Sequence, residues 1–406
     1  MNKIKFLSMS LMALLMVCFT ACENNKYEVD HTAELVGTWT CIRANHAEAL
    51  VFNADGTVLS TGVENGEYWE NVAGTYVIEN DVATMIFEDG DNAKGHIDVV
   101  PGIAFTIYEE DGEEWTFNYC PEDLSDEIVG MWVCTQTPSG KSEDMLIQNF
   151  QEDGTLITTG RVPEADDYIV NADSNYKVFG DLYIIYGKEE GTALVFKFNV
   201  SSNETTLGKM MTVTGFMPTE NGVVEETTSW LRVKDTLNLA GKGYYYHDVF
   251  VSNVDGEDKD IDFMGYTFNF AKMTNSELNK LLNSLLFNVE FPDANTIQYI
   301  YMYNNTKEVL EAPIVVEGNK VIIKMSAKEP ALKNVVLYAF QDADCSQLHF
   351  YMSRTAFVNF HANMQAKLMK SAGQLDLNDE AAVKAIYDSI DAAVNTINVS
   401  LVFKAK

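Results

Sequence analysis

The sequence predicts a mainly β protein: two tandem small antiparallel β-barrels over residues 34–120 and 127–234, followed by a third domain over 241–406. That third domain combines a β-barrel, or an α+β sheet, with three helices. Three observations predict this arrangement. A set of motifs recurs in unchanged order roughly a hundred residues apart. Each copy is a series of short runs joined by tight-turn dipeptides. Helical periodicity is confined to the last region. A length of 406 residues supports two to four domains, and 47% apolar with 11% aromatic content is enough to bury real cores.

The repeat is read directly from the residues. Leu35-Val36-Gly37-Thr38-Trp39 matches Ile128-Val129-Gly130-Met131-Trp132 at an offset of 93, and Phe52-Asn53-Ala54-Asp55-Gly56-Thr57-Val58 matches Phe150-Gln151-Glu152-Asp153-Gly154-Thr155-Leu156 at 98. Tyr76 to Val82 answers Tyr176 to Leu182 at 100, and Trp115 answers Trp230 at 115. An offset that only grows means loop insertions in the second copy. Asp55-Gly56 and Asp153-Gly154 supply the positive φ of hairpin turns, and Asn80-Asp81 and Gly180-Asp181 do so one hairpin later. In the first copy strands are expected near 36–43, 48–53, 57–62, 73–79, 82–88, 94–99, 103–108 and 113–119. Eight sequentially connected strands can close into a barrel whose interior takes a side-chain core or one small ligand. A seven-stranded sandwich is the alternative, and the short hairpin loops favour up-and-down order.

In the third region, β-like runs at 244–252 and 262–271 lead to a helix. It opens on the capping box Thr274-Asn275-Ser276-Glu277 and carries the apolar stripe Leu278, Leu281, Leu282, Leu285 and Leu286. Strands are expected near 296–303, 312–317, 320–326, 334–341 and 346–352, helices over 356–371 and 379–395, and a closing strand on Ile397, Val399, Leu401 and Phe403.

The first 22 residues read as an export signal. Lys3 and Lys5 precede the apolar stretch Phe6 to Val17, and Phe19-Thr20-Ala21-Cys22 follows. This segment resembles the bacterial lipobox, with Phe19 in place of the usual Leu. The resemblance implies cleavage between Ala21 and Cys22 and lipidation of Cys22, so that 1–21 is a signal peptide and 22–33 a lipidated tether. The expected partner is therefore a membrane, through the acyl chains. The expected place is the cell envelope, on the outer membrane, facing periplasm or exterior. Removing residues 1–21 takes two lysines and no acids, leaving 26 basic residues against 60 acidic, a net −34. Such a charge excludes nucleic acid as a partner.

Gly-x-Trp at the first strand, the Asp-Gly hairpin and the later Gly74-Thr75-Tyr76 strand together resemble lipocalin-like (calycin) domains. The resemblance covers 34–120 and 127–234, and extends weakly to the third domain as a calycin-like barrel. It implies that Gly37, Trp39, Gly130 and Trp132 form a motif closing one barrel end, with Arg232 over Trp132 as a cation–π partner. In the first copy Phe117 stands two residues after Trp115, so Trp39 has no matching arginine.

Cys41 and Cys134 share a strand face with their tryptophans and read as buried free thiols, alongside Cys120 and Cys345, whose pairing spacing cannot assign. No catalytic, cofactor-binding or metal-binding residue is predicted. The histidines at 31, 46, 96, 247, 349 and 361 are scattered, and Gly-x-Ser-x-Gly does not occur. Ser139-Gly140-Lys141-Ser142 lacks the first P-loop glycine, which would fall at Thr135. An EF-hand counted from Asp258 would need Gly and Glu where Phe263 and Asn269 stand. Tyr299, Tyr301 and Tyr303 share one strand face and form a candidate ligand face. Asp235-Thr236-Leu237 resembles an O-glycosylation acceptor, making Thr236 a candidate modification site. The resulting expectation is a non-enzymatic lipoprotein binding a small apolar or amphipathic ligand. The alternative is a module that recognises a glycan or another envelope protein through its outer barrel faces. Ligand identity, leaflet and oligomeric state stay open.

Overall fold

The computed structural model describes residues 31–406 except 44–45, 110–111, 138–139, 142–145, 162–167, 188–191, 204–207, 220–221, 259, 264–265, 270–271, 273, 304 and 328. Residues 1–30, on which the expected signal segment 1–21, the expected lipidation site Cys22 and most of the expected tether fall, lie outside the described residues. The strands close into three eight-stranded antiparallel barrels. By contact density the chain divides into two compact units. One holds most of the first barrel. The other holds residues 42–48, 62–68 and everything from Glu122 onward.

The first barrel follows a one-turn helix α1 (Thr32–Leu35) and comprises β1 (Gly37–Arg43), β2 (His46–Phe52), β3 (Thr57–Glu64), β4 (Glu67–Glu79), β5 (Val82–Phe87), β6 (Asn92–Val100), β7 (Ala104–Glu109) and β8 (Glu114–Cys120). Neighbours pair in sequence order and β1 closes on β8, with Trp39 opposite Tyr119. All eight expected strands are present. Closure leaves no strand edge open and forces every second residue inward. Trp39 meets Phe105 at 5.1 Å between ring centres, Phe52 meets Phe105 at 5.8 Å, and Phe117 stacks on Phe105 at 4.8 Å.

The second barrel repeats this plan after α2 (Ser125–Ile128). It uses β9 (Gly130–Thr137), β11 (Leu146–Phe150), β12 (Thr155–Arg161), β13 (Tyr168–Phe179), β14 (Leu182–Tyr186), β15 (Leu194–Asn203), β16 (Gly208–Thr219) and β17 (Gly222–Val233). A two-residue β10 (Gly140–Lys141) extends β9, and β17 closes the barrel on β9. In both barrels the indole N–H of the Gly-x-Trp tryptophan donates to the carbonyl four residues earlier. Trp39 bonds Leu35 and Trp132 bonds Ile128, each at 2.6 Å. The short helix is thereby held across the barrel end, its last side chain buried. Glycine is required two residues before each tryptophan. Gly37 and Gly130 have φ of 136° and 123°, and an added Cβ would lie 2.8 Å from the Tyr119 ring and 3.0 Å from the Arg232 guanidinium.

The Asp-Gly hairpins are equally matched. Asp55 Oδ1 and Asp153 Oδ1 each accept the backbone N–H two residues on, at 3.0 Å. The Tyr76 and Tyr176 hydroxyls donate to the Asn53 and Gln151 carbonyls. Arg232 lies 5.8 Å from the Trp132 ring centre, as the resemblance implies. Register corrects one detail of the repeat. Tyr119 stands opposite Trp39 as Arg232 stands opposite Trp132, so Trp115, four residues before Tyr119, is not the counterpart of Trp230, two before Arg232. Trp39 is covered by the tilted ring of Tyr119 at 4.9 Å in place of an arginine.

The third domain is a third closed barrel rather than an α+β sheet. It consists of β18 (Lys242–Asp255), β21 (Asn288–Asp293), β22 (Thr296–Tyr303), β23 (Thr306–Glu317), β24 (Lys320–Ile323), β25 (Val335–Gln341), β26 (Gln347–Met352) and β27 (Thr396–Ala405), with β27 pairing back on β18. The same backbone bonds recur in all three barrels. Tyr76, Tyr176 and Ile314 donate to Gly56, Gly154 and Asn295, and Ile97, Phe198 and Ala339 donate to Asp81, Asp181 and Asn319. Leu239 is buried two residues before the positive-φ Gly241, as Leu35 and Ile128 precede their glycines.

Two insertions distinguish the third copy. Between its first two barrel strands lie a separate hairpin, β19 (Asp260–Phe263) with β20 (Tyr266–Asn269), and helix α3 (Asn275–Ser284). The described part of the expected run at 262–271 is strand, but it belongs to that separate hairpin and not to the barrel. Between the last two strands lie α4 (Arg354–Ser371) and α5 (Glu380–Ala393). Strand β21 escapes the sequence reading because Pro292 interrupts its Val289/Phe291 alternation.

Cys41, Cys120, Cys134 and Cys345 are buried, and none of them forms a disulfide among the described residues. The stretch from Val233 to Ala240 is pinned rather than loose. Lys234 N donates to the Gln341 carbonyl at 2.8 Å and Asn238 N to the Gln341 side chain at 2.6 Å, while Val133, Ile147 and Leu231 pack with Phe340 and Tyr351.

Replacing Trp132 by Phe leaves the buried Ile128 carbonyl without its donor and should cost about 2–3 kcal/mol. Urea unfolding followed by near-ultraviolet circular dichroism reads this as a lower midpoint. The exposed Thr212→Ala should leave the midpoint within about 0.5 kcal/mol of the parent.

Candidate binding cavity in the third barrel

The third barrel holds a cavity of about 70 Å³. Its walls come from β22, β25, β26 and β27, and it is covered by α3 and α4. Each covering helix is held by specific contacts. In α3 the capping box forms as the sequence predicts, with Thr274 accepting from Glu277 N and Glu277 accepting from Thr274 N. The stripe residues Leu278, Leu281 and Leu285 turn into the cavity, whereas Leu286, at a φ of 46° past the helix end, points outward. Tyr246 donates to Asn279 Oδ1, Asn279 Nδ2 donates to Asp248 at 2.9 Å, and Met302 N donates to the Leu285 carbonyl at 2.7 Å.

Helix α4 is buried along most of its length. Its polar side chains bind fixed backbone. Asn359 Nδ2 donates to the Asn334 carbonyl, Asn363 Nδ2 donates to Lys333, and Arg354 donates to Val394 and pairs with Asp391. Tyr387 of α5 donates to Asn363 Oδ1. These bonds orient Phe360, His361 and Met364 into the barrel.

Tyr299 and Tyr301 both belong to this interior wall. The Tyr303 side chain lies outside the described residues. Tyr299 stacks on Phe287 at 5.9 Å and meets Phe360 edge-on at 5.6 Å. Its hydroxyl is buried with no hydrogen-bond partner among the described residues. Burial pushes the phenol far above its ordinary value. A second cavity of about 20 Å³ adjoins it, sharing Tyr299, Phe360 and Met364 as wall. His361 sits between Phe357, at 4.4 Å, and Phe360, and burial there lowers its imidazole to about 4. It is neutral at pH 7.

Sequence reasoning missed His361, Phe350, Met352 and the covering role of α4. The Leu stripe of α3 was legible, but the surface it would cover was not. The Phe357/Phe360/His361 grouping was the one signal available. Among the remaining predicted residues, Thr236 is exposed in the segment joining the second and third barrels. Ala21 and Cys22 lie outside the described residues. Asp258 in the acidic loop is held by Lys272 at 2.7 Å and by Asn269 at 2.8 Å, which lower its carboxyl below the usual range. No group of three or more His, Cys, Asp or Glu among the described residues is placed to hold a metal ion. No helix among the described residues is long and apolar enough to cross a membrane.

No protein-family model matches the chain, and no curated protein matches it in sequence. Solved structures give low-scoring matches. A protein of the DUF3598 family from Nostoc punctiforme PCC 73102 is 10% identical over 52% of this chain and all of its own, with a TM-score of 0.17. A porin-like protein from Bacteroides uniformis ATCC 8492 is 8% identical, covering 48% of this chain and 94% of its own, with a TM-score of 0.13. Transferrin binding protein B from serogroup B Neisseria meningitidis is 8% identical, covering 89% of this chain and 66% of its own, at 0.20. Scores of this size carry no argument about fold or function. The tandem barrels rest on the strand pairing of this chain itself.

His349 is also buried, and burial together with nearby His247 lowers it to about 4. Unfolded, both His349 and His361 would titrate near 6.5. Between pH 6.5 and 4 the unfolded chain therefore holds protons that the folded one does not. Stability is full above pH 6.5 and is lost as pH falls toward 4. Thermal melts across that window should show a falling Tm. The double variant His349→Gln/His361→Met should flatten the slope.

Proposed function

We propose that the protein is a non-enzymatic, lipid-anchored envelope protein whose third barrel captures a small apolar or amphipathic molecule. One observation carries the binding reading: a cavity of about 70 Å³, walled mainly by Leu, Phe and Met side chains and covered by two helices that have no counterpart among the described residues of the other barrels. A concave, mostly apolar space with few polar groups is the usual form of a small-molecule site. The anchor reading rests on the Ala21-Cys22 lipobox, with residues 23–33 as a tether reaching at most ~40 Å. On this reading the ring-packed first and second barrels act as spacers that also offer outer faces to a glycan or an envelope protein.

Native mass spectrometry of residues 23–406, purified gently from cell extract, tests the capture. A mass excess that disappears on denaturation supports it, and the released molecule identifies the ligand. Leu337→Phe, which adds a ring to the cavity wall, should reduce the occupied fraction about tenfold while the melting profile holds. A bare mass for both proteins argues for surface recognition instead. For the anchor, Cys22→Ala should move the protein from the membrane pellet to the soluble envelope fraction, because the acyl chains supply the membrane affinity. Unchanged sedimentation would sink that part of the proposal.

A further inference from the structure

We propose that the cavity of the third barrel selects a small uncharged molecule bearing one hydrogen-bond acceptor, which takes its bond from the Tyr299 hydroxyl. This rests on the reading of the third barrel as a small-molecule site and adds the chemistry of the ligand. Tyr299 is part of the wall of both cavities, so an acceptor in either space lies beside it. Its ring packing against Phe287 and Phe360 would be served equally well by phenylalanine. Packing therefore does not explain the hydroxyl. A buried donor with no partner among the described residues is costly to keep unless something satisfies it.

The rest of the wall argues against a charged ligand. Among the described residues the larger cavity is lined by no Lys, Arg, Asp or Glu, and His361 is neutral at pH 7. An ion entering it would shed its hydration shell with no counter-charge to meet. In the smaller cavity the two charged residues are already engaged. Lys367 lies 3.6 Å from Glu329, and Glu311 accepts from Gln298 at 3.1 Å. Size limits the ligand as well. A leucine-lined cavity of ~150 Å³ is known to hold benzene. This one is about half that, so a ligand entering without displacing α3 has only a few heavy atoms.

The test uses the full-length chain with ¹³C-methyl methionine, since Met352 and Met364 line the cavity. Two probes of nearly equal shape are titrated: 2-butanone, which offers a carbonyl acceptor, and 2-methyl-1-butene, which has a methylene in its place. Butyrate serves as the charged probe. The expected result is saturable shifts of the Met352 and Met364 methyls with both neutral probes and none with butyrate. Tyr299→Phe should weaken 2-butanone about fivefold and leave 2-methyl-1-butene within about twofold. Equal loss of both neutral probes, or of neither, overturns the role of Tyr299. Butyrate binding as well as 2-butanone overturns the exclusion of charge, and that comparison needs no variant. If neither neutral probe shifts the methyls in the parent protein, the small-molecule reading of this cavity fails too. Alkene binding with no effect of Tyr299→Phe sinks only the present inference.

Discussion

Eight strands closed on themselves leave a space that water must not occupy, and each barrel of this protein answers that constraint. Closure satisfies every strand edge and fixes the alternation of inward and outward side chains. The interior then has to be filled to the density of a solid, because each missing contact is lost outright. In the first two barrels aromatic rings fill it, and a tryptophan at one end bonds the carbonyl of a one-turn helix that covers the opening. In the third, Tyr244 is buried near the same end, its hydroxyl accepting from Gln341. Two inserted segments bring helices to cover the barrel, and the packing there leaves a void.

The backbone bonds that recur in all three barrels make the insertions interpretable. The donors Tyr76, Tyr176 and Ile314 differ in side chain, yet each bonds the same turn position through its amide. A frame held by main-chain bonds tolerates change in the side chains and long additions in its connections. Residues 256–287 and 353–395 enter at two such connections. Their apolar faces would be a liability in solvent. In α3, α4 and α5 those faces are buried against the third barrel, and α4 and α5 are clamped together through Asn363 and Tyr387.

Charge is distributed to suit this plan. Sixty acidic residues against 28 basic ones repel anionic surfaces. Few of the acids are buried. Asp342 is an exception, accepting from Gln347 N at 2.8 Å and from Ser346 beside the pinned segment at Val233. The two histidines lowered by burial sit where aromatic and apolar packing leaves no room for a proton's charge, which ties stability to pH above the carboxylate range.

Much of this was legible in the sequence because it depends on local geometry. Gly37 and Gly130 mark a positive φ, Asp55-Gly56 marks a hairpin, alternation marks which side of a strand is buried, and Thr274 to Glu277 marks a helix start. Each is a rule about neighbours along the chain. From these the eight strands of the first barrel and the repeat that generates the second follow directly. The third barrel was harder. Its Phe291-Pro292-Asp293-Ala294-Asn295 turn departs from Asp-Gly, and two insertions stretch the spacing that a self-comparison relies on. Of the cavity only the shared face of Tyr299 and Tyr301 was legible. Leu281, Tyr299, His361 and Phe403 are brought together from four elements, and whether facing side chains meet or leave a gap depends on the distances between those elements. The sequence by itself determined the local turns, the faces and the repeat. Only the tertiary structure decided where the packing stops short, because a void is a property of surfaces that the chain brings together from far apart.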